Sequence, residues 1–170
     1  MALTTVAALN VSASIVNALN LGGNTANLAS TFGLSLTDGT STGQANTAFW
    51  DHRTITASSN EDLDLAGVLS SPLNQTVTLA RIKLLVVSAD ASNANNVVVG
   101  AAASNALAGL FGATTHTAIV RPGCTLCWMT GSADATGYAV TAGTGDLLRI
   151  ANSGAGTSVS YSIVVIGANA

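Results

Sequence analysis

The chain has 170 residues, of which only 8% are charged and 48% are hydrophobic, and its formal net charge is −3. That length suits one domain with a sizeable buried core. Five scattered Lys and Arg side chains are too few for a surface that follows nucleic-acid phosphates, and no apolar run reaches the length of a membrane span. We therefore expect neither nucleic acid nor a membrane as a partner.

Small neutral side chains stand where a soluble enzyme usually carries Lys and Glu. A surface made of Ser, Thr, Asn, Gly and Ala loses little solvation free energy when it is buried against a neighbour. The composition therefore favours a subunit that oligomerises or docks into a larger assembly, with a monomer poor in charge as the alternative. No basic residue precedes the first apolar segment, so we expect no secretory signal and assembly in a cytoplasm.

Residues 1–30 carry no ionisable side chain and predict an N-terminal arm. A helical spacing is possible from Ser14 to Leu21, and Gly22 and Gly23 would end it, so the arm is expected to be extended or part-helical. Because a segment without charge is poorly suited to stand alone in solvent, we expect it to pack on a partner subunit. An ordinary first strand of the core is the alternative. The side chains expected to make the subunit contact are Leu9, Val11, Ile15, Leu19 and Leu21.

Residues 31–170 predict a β-sandwich domain. Short apolar runs alternate with turn residues about every ten positions, which predicts roughly eight to ten strands and almost no helix. The pattern is typical of an all-β fold, namely an antiparallel β-sandwich that is jelly-roll-like. Strands are expected in the segments 32–36, 54–57, 76–88, 97–99, 117–120 and 124–130.

The segment 134–167 predicts a C-terminal hairpin. Val159, Tyr161, Ile163 and Val165 recur at every second position, which is the period of a strand. Residues 147–151 form a second apolar run, and the connection between the two runs is rich in Asn and Gly, which tolerate left-handed backbone. Because a hairpin is only marginally stable in water, the rest of the chain is expected to supply the sheet that covers it.

Cys124 and Cys127 have C-x-x-C spacing, which without a second pair is weak support for a metal site. Positions i and i+3 of a strand face opposite sides, so the two thiols would diverge. No disulfide is expected in a protein made in a cytoplasm. We therefore interpret both as buried, inert thiols, with a redox or metal role as the alternative.

Other polar clusters are better explained by strand structure than by chemistry. Residues 50–53 contain His52, but the chain has no G-x-S-x-G elbow, so we expect a strand entry with Trp50 anchoring the core. In residues 62–65 two carboxylates alternate with two leucines, which is typical of a solvated strand face. The loop 90–96 offers oxygen ligands but lacks the Glu that ends an EF-hand loop. The sequence predicts no catalytic residue, no cofactor and no metal.

Six segments between residues 49 and 167 carry a family resemblance. They are 53–55 (RTI), 63–67 (LDLAG), 80–86 (ARIKLLV), 134–138 (DATGY), 141–153 (TAGTGDLLRIANS) and 161–167 (YSIVVIG). Together they resemble the small virion proteins of tailed bacteriophages, over about two thirds of the chain. The arm before Phe49 and the segment 124–129 depart from that pattern.

The resemblance implies a head decoration, or cement, protein with a jelly-roll-like β-sandwich, located on the outer capsid surface of a virion. It implies a homo-oligomer, with a trimer favoured and a hexamer possible, that clamps neighbouring subunits of the major capsid protein. It implies no catalytic residues. A tail-fibre or spike domain that binds a host-surface glycan is the alternative, and it would need exposed aromatic side chains along a groove. A hydrolase that uses His52 or His116 is a third hypothesis.

Overall fold

The computed structural model describes residues 2–19 and 21–170, and every regular element in those ranges is a β-strand. The prediction of an all-β fold is therefore confirmed. The strands are β1 (Thr5–Leu19), β2 (Gly22–Asp38), β3 (Gln44–Ala45), β4 (Thr47–Ile55), β5 (Asn60–Asp64), β6 (Arg81–Ala89), β7 (Val97–Gly100), β8 (Thr117–Val120), β9 (Thr125–Met129), β10 (Tyr138–Ala139), β11 (Leu147–Asn152) and β12 (Val159–Ala168).

β1 and β2 form a long antiparallel ribbon, so of the two predicted forms of the arm the part-helical one is wrong and the chain is extended. They pair along their whole length, from Thr5 opposite Leu36 to Leu19 opposite Gly22. Apolar residues recur at every second position from Ala7 to Ile15, and a period of two is that of a strand, not a helix. At about 3.4 Å per residue, the ribbon is roughly 50 Å long.

Two further antiparallel sheets share one core. The large sheet has the order β10, β6, β12, β4, with β9 also paired to β6, and the small sheet has the order β5, β11, β7, β8. Buried side chains of both sheets belong to one cluster, with Ile163 and Val165 from the large sheet and Leu148 and Ile150 from the small one. Alternation along each strand directs these side chains inward, so the core lies where the two sheets meet.

β11 and β12 are strands as predicted, but the prediction that they form a hairpin is wrong. β11 pairs with β5 and β7, and β12 pairs with β4 and β6. The Asn152 side chain holds the connection between them, because its Nδ2 donates to the carbonyls of Thr56 and Thr157. Each strand has one buried face, and placing the strands in different sheets lets the two faces cover each other.

The base of the ribbon packs on the outer face of the large sheet. Leu34 and Leu36 are almost fully buried and form a second cluster with Ala45, Leu84 and Ile166. The end of β2 also pairs in parallel with β3. From residue 9 to residue 17, by contrast, every side chain of β1 is exposed. The ribbon is therefore anchored at one end only.

Candidate assembly surface

The two faces of the ribbon differ in polarity. Directly opposite residues of an antiparallel pair share a face. One face joins the buried Leu34 and Leu36 to a row of exposed apolar side chains, and we call it the apolar face: Leu9, Val11, Ile15, Leu28 and Phe32. The other, which we call the polar face, carries Asn10, Ser12, Ser14, Thr25, Asn27 and Thr31 together with Val6 and Val16. The ribbon is thus an amphipathic two-stranded sheet.

Exposure along the apolar face is high for side chains of this type. Leu9 is 55% exposed, Ile15 73%, Leu28 53% and Phe32 55%. On the polar face, the Thr31 hydroxyl instead donates to Asn10 Oδ1 across the strands at 2.7 Å. Both faces are open to solvent, but the apolar face exposes large hydrophobic side chains, whereas most side chains of the polar face can hydrogen-bond with water.

The residues expected to contact a partner are unevenly placed. Leu9, Val11 and Ile15 lie together on the apolar face, and Leu21 is 97% exposed at the distal end of the ribbon. The side chain of Leu19 lies outside the described residues. Their role in a subunit contact stays a prediction. Sequence reasoning missed Leu28 and Phe32 on β2, although they recur with the period of two that marks one strand face.

The outer face of the large sheet carries a second apolar feature beside the ribbon base. The strand register sets four side chains in a row across β4, β12, β6 and β9, and Pro72 and Leu73 line a cavity together with Trp50, at the β4 end of that row. Cavities of about 490 Å³ and 540 Å³ lie at that end. We call these residues together the apolar strip: Leu73, Pro72, Trp50, Val164, Val86 and Cys127.

The apolar strip has a defined border. Beyond it, the next rows of the same outer face are polar and pair across strands. These pairs are His52 Nδ1 with Ser162 Oγ at 3.1 Å, Thr54 Oγ1 with Ser160 Oγ at 2.8 Å, and Ser88 Oγ with Thr125 Oγ1 at 2.8 Å. The face is therefore apolar near the ribbon base and polar at its far end.

Trp50 and the two cysteines lie on the surface, so two predictions are wrong. Alternation along β4 turns Phe49 into the core and leaves Trp50 52% exposed, so Trp50 does not anchor the core. Cys124 and Cys127 are free and exposed rather than buried. Desolvation by neighbouring atoms raises the pKa of Cys127, which keeps the thiol protonated and slow to react near neutral pH.

His52 has two polar neighbours but no complete hydrolytic arrangement. Its Nε2 lies 3.6 Å from Asp90 Oδ2, beyond ordinary hydrogen-bond length, and Ser162 is on its other side. Ser162 sits in β12, which is paired on both sides, so its flanking backbone amides are engaged in ladders and form no oxyanion hole. The geometry gives no support to a hydrolase at His52, and the absence of enzymatic activity stays a prediction.

A charged cluster joins the edge strands of the two sheets. Glu61 Oε2 accepts from Arg53 Nε at 2.8 Å, and Glu61 Oε1 accepts from the Tyr161 hydroxyl at 2.9 Å. The hydrogen bond to Glu61 raises the pKa of Arg53, and burial raises the pKa of Tyr161. The Glu61 carboxylate thus accepts from both the Arg53 guanidinium and the Tyr161 hydroxyl. These bonds stabilise the fold, and they leave Glu61 unsuited to act as a general base.

We expect Glu61→Gln to lower the free energy of unfolding by about 1–3 kcal/mol, because the hydroxyl of the fully buried Tyr161 and the Arg53 guanidinium would compete for one carbonyl oxygen. Urea unfolding measures the change. The control is Asp62→Asn, whose carboxylate pairs with Arg149 on the outer face. That pair is partly solvated, and its loss should cost less than about 1 kcal/mol. Equal losses in the two variants would contradict this account of the cluster.

The oxygen-rich loop 90–96 is used inside the fold. Asn93 accepts from the Ser160 amide and donates to the Ser160 carbonyl, both at 2.8 Å, and Asn95 donates to Asn152 Oδ1. Within residues 2–19 and 21–170, no three side chains of His, Cys, Asp or Glu gather as a metal site would require. The loop therefore fastens the crossing between the two sheets.

Comparisons of the sequence with known proteins identify no related protein. No protein-family model matches the chain, and no curated protein matches it significantly. In the described part of the chain, no helix is long and apolar enough to cross a membrane.

Proposed function

We propose that this chain is a structural virion subunit, a decoration or cement protein that binds the outer capsid surface as a homo-oligomer and stabilises contacts between major capsid protein subunits. The observation that carries the proposal is the apolar face of the ribbon, exposed over most of its length. A two-stranded ribbon is at best marginally stable in water, and apolar patches of several hundred Å² mark interaction sites. Such a ribbon serves a subunit that is covered by neighbours.

Charge supports the same function. No side chain between residues 2 and 37 is ionisable, so covering the ribbon desolvates no charge. Burial of apolar surface contributes about 25 cal/mol per Å² before the costs of association are subtracted. Single contacts of this size are weak, but a shell repeats them many times, and repeated attachment raises the apparent affinity.

The finer architecture belongs to the same proposal. The two sheets would be the layers of a jelly-roll-like β-sandwich, and the ribbon would extend from it toward neighbouring subunits. A trimer is the favoured oligomer, with a hexamer possible. Assembly would take place in the host cytoplasm.

A glycan-binding spike or tail-fibre domain is the second candidate, and one observation favours it. The half-exposed Trp50 flanks the cavity of about 490 Å³, whose other lining residues include the amides Asn46, Gln75 and Asn169. An aromatic face beside amide groups is suited to a sugar ring. Only one exposed aromatic side chain lines this cavity, however, whereas the ribbon needs cover along its whole apolar face.

Sedimentation with capsids tests the proposal. Capsids of the virus that encodes the chain, purified without this protein, should bind the full-length chain to saturation, with a fixed number of copies per capsid. The control is the same chain with capsids that already carry it. Saturable binding supports the cement function. Failure to bind such capsids, together with a specific signal on a glycan array that is lost in Trp50→Ala, would favour the spike instead.

A further inference from the structure

We propose that the apolar face of the ribbon docks on the apolar strip of a second copy of this chain, so that copies exchange ribbons in a closed homo-oligomer. This inference rests on the proposed structural function and names the surfaces that join its subunits. It assigns Trp50 and its row as the receiving site, and Leu9, Val11, Ile15, Leu28 and Phe32 as the docking side chains.

The same two surfaces already pack together within one chain. Leu34 and Leu36, at the base of the apolar face, are buried against Leu84 and Ile166 on the outer face of the large sheet. Val86 and Val164, in the next row of that sheet, are only partly buried. The apolar strip therefore lies beside a place where the apolar face of the ribbon already packs on the outer face of the large sheet.

Each copy holds one uncovered surface of each kind. Its own ribbon covers the sheet only as far as Leu34, because Phe32 is 55% exposed and Leu9 is 55% exposed on the same face. The strip keeps Trp50 at 52% and Leu73 at 64% exposure. In a closed oligomer a neighbour's ribbon covers the strip, and the strip in turn covers apolar side chains of that ribbon.

The areas fit a closed oligomer. The part of the ribbon with described, exposed side chains spans nine residue pairs, from Leu9 opposite Phe32 to Asn17 opposite Asn24. With strands about 4.8 Å apart and a rise of about 3.4 Å, one face of this part covers roughly 300 Å². In a pair of copies that exchange both ribbons, each copy buries roughly 600 Å² of its own surface and the interface about 1,200 Å² in total, which is the lower end of the range for a standard stable interface. A single one-way contact would reach only half of this.

Charge also favours a second copy. The ribbon up to residue 37 and the six residues of the strip have no Asp, Glu, Lys, Arg or His among them. Neither surface can form an ion pair with a charged partner, and each would leave a partner's charge unpaired. The ribbon therefore needs an uncharged apolar surface as its partner, and the apolar strip of another copy is such a surface.

Adjacent residues of β1 provide a matched pair of variants. Ile15 is 73% exposed on the apolar face, and Val16 is 69% exposed on the polar face. We expect the full-length chain to sediment as an oligomer at micromolar concentration without capsids. Ile15→Asn should weaken self-association at least about tenfold, as loss of one central apolar contact does, whereas Val16→Asn should leave it unchanged.

Cys127 reports on the strip directly. In a Cys124→Ser background, the Cys127 thiol should react with a maleimide at least about tenfold more slowly in the oligomer than after Ile15→Asn, because the docked ribbon covers it. Cys124 lies outside the strip and, in a Cys127→Ser background, should react at the same rate in both.

The outcomes separate this inference from the cement function. A full-length chain that is monomeric in solution, an oligomer that survives Ile15→Asn, or an oligomer with unprotected Cys127 would each overturn the exchange of ribbons. A monomer whose capsid binding is lost on Ile15→Asn would identify the capsid protein as the occupant of the apolar face and would leave the cement function standing. An oligomer sensitive to Ile15→Asn, insensitive to Val16→Asn and with protected Cys127 supports the proposal.

Discussion

Excision of residues 9–32 is expected to abolish capsid binding while the two sheets stay folded. Ala8 lies directly opposite Gly33, so an Asn-Gly pair can close the shortened ribbon as a two-residue hairpin turn. The variant keeps Leu34 and Leu36, which cover the outer face of the large sheet. Without the ribbon, copies should lose the proposed contacts with one another, and each would bind the capsid singly and weakly. The apparent affinity for capsids should therefore fall by at least about 100-fold.

Sedimentation with capsids measures the binding, and thermal unfolding checks the fold. Among the excised side chains that the structure describes, all are exposed except Ser30, which is half-buried, and surface changes of this kind have small effects on stability. Val16→Asn, which keeps the ribbon, serves as the control and should bind normally. A shortened variant that still saturates capsids would show that the ribbon has no part in attachment.

Gly167→Ala is expected to lower the free energy of unfolding by about 3 kcal/mol, because overpacking at a close backbone approach forces the chain to shift. A Cβ at this position would overlap the Arg81 carbonyl oxygen and lie 2.8 Å from Leu79 Cδ2. The pairing of β12 with β6 shifts register at this point, where Ile166 faces Leu84 but Gly167 faces Ile82. The shift is a β-bulge that needs glycine on the facing strand.

Gly131→Ala is the matched control. A Cβ there would meet no atom within 4 Å, so the change in the free energy of unfolding should stay within about 0.5 kcal/mol. Urea unfolding of both variants gives the comparison. Equal stability of Gly167→Ala and Gly131→Ala would mean that β12 and β6 do not approach as closely as the bulge requires.

Several strands were predictable from the sequence, but their partners were not. An apolar run at 147–151 and a period of two at 158–166 located β11 and β12 correctly, because such patterns depend only on neighbouring residues. Nearness in sequence then suggested a hairpin, whereas the fold places β11 and β12 in different sheets. Strand pairing is decided by packing between residues far apart in sequence. The same is true of the hydrogen bonds from Asn93, Asn95 and Asn152 that hold the connection between the two sheets.

The bulge shows a second limit of sequence reasoning. Lys83 lies within an apolar strand and is 1% exposed, with its ammonium group donating to the Asp134 carbonyl. Burial lowers the pKa of Lys83. Simple alternation does not predict a buried charged side chain at this position. Lys83 is buried there because it lies at the register shift opposite Gly167.

The candidate site was half predictable. Absence of charge marked the arm, and its apolar residues Leu9, Val11 and Ile15, predicted to contact a partner subunit, lie exposed on one face; the contact itself stays a prediction. Their alternation was present in the sequence, but Gly22 and Gly23 suggested the end of a helix instead of a strand connection. The receiving strip was not predictable, since Trp50, Val86 and Cys127 come together only through the pairing of separate strands.

A single-particle reconstruction of capsids saturated with this chain tests the central claim most directly. The account predicts copies on the outer surface, each with a ribbon of roughly 50 Å that runs onto the outer face of a neighbour's large sheet and covers its Trp50. Capsids without bound chain, or bound copies whose ribbons extend uncovered into solvent, would contradict it.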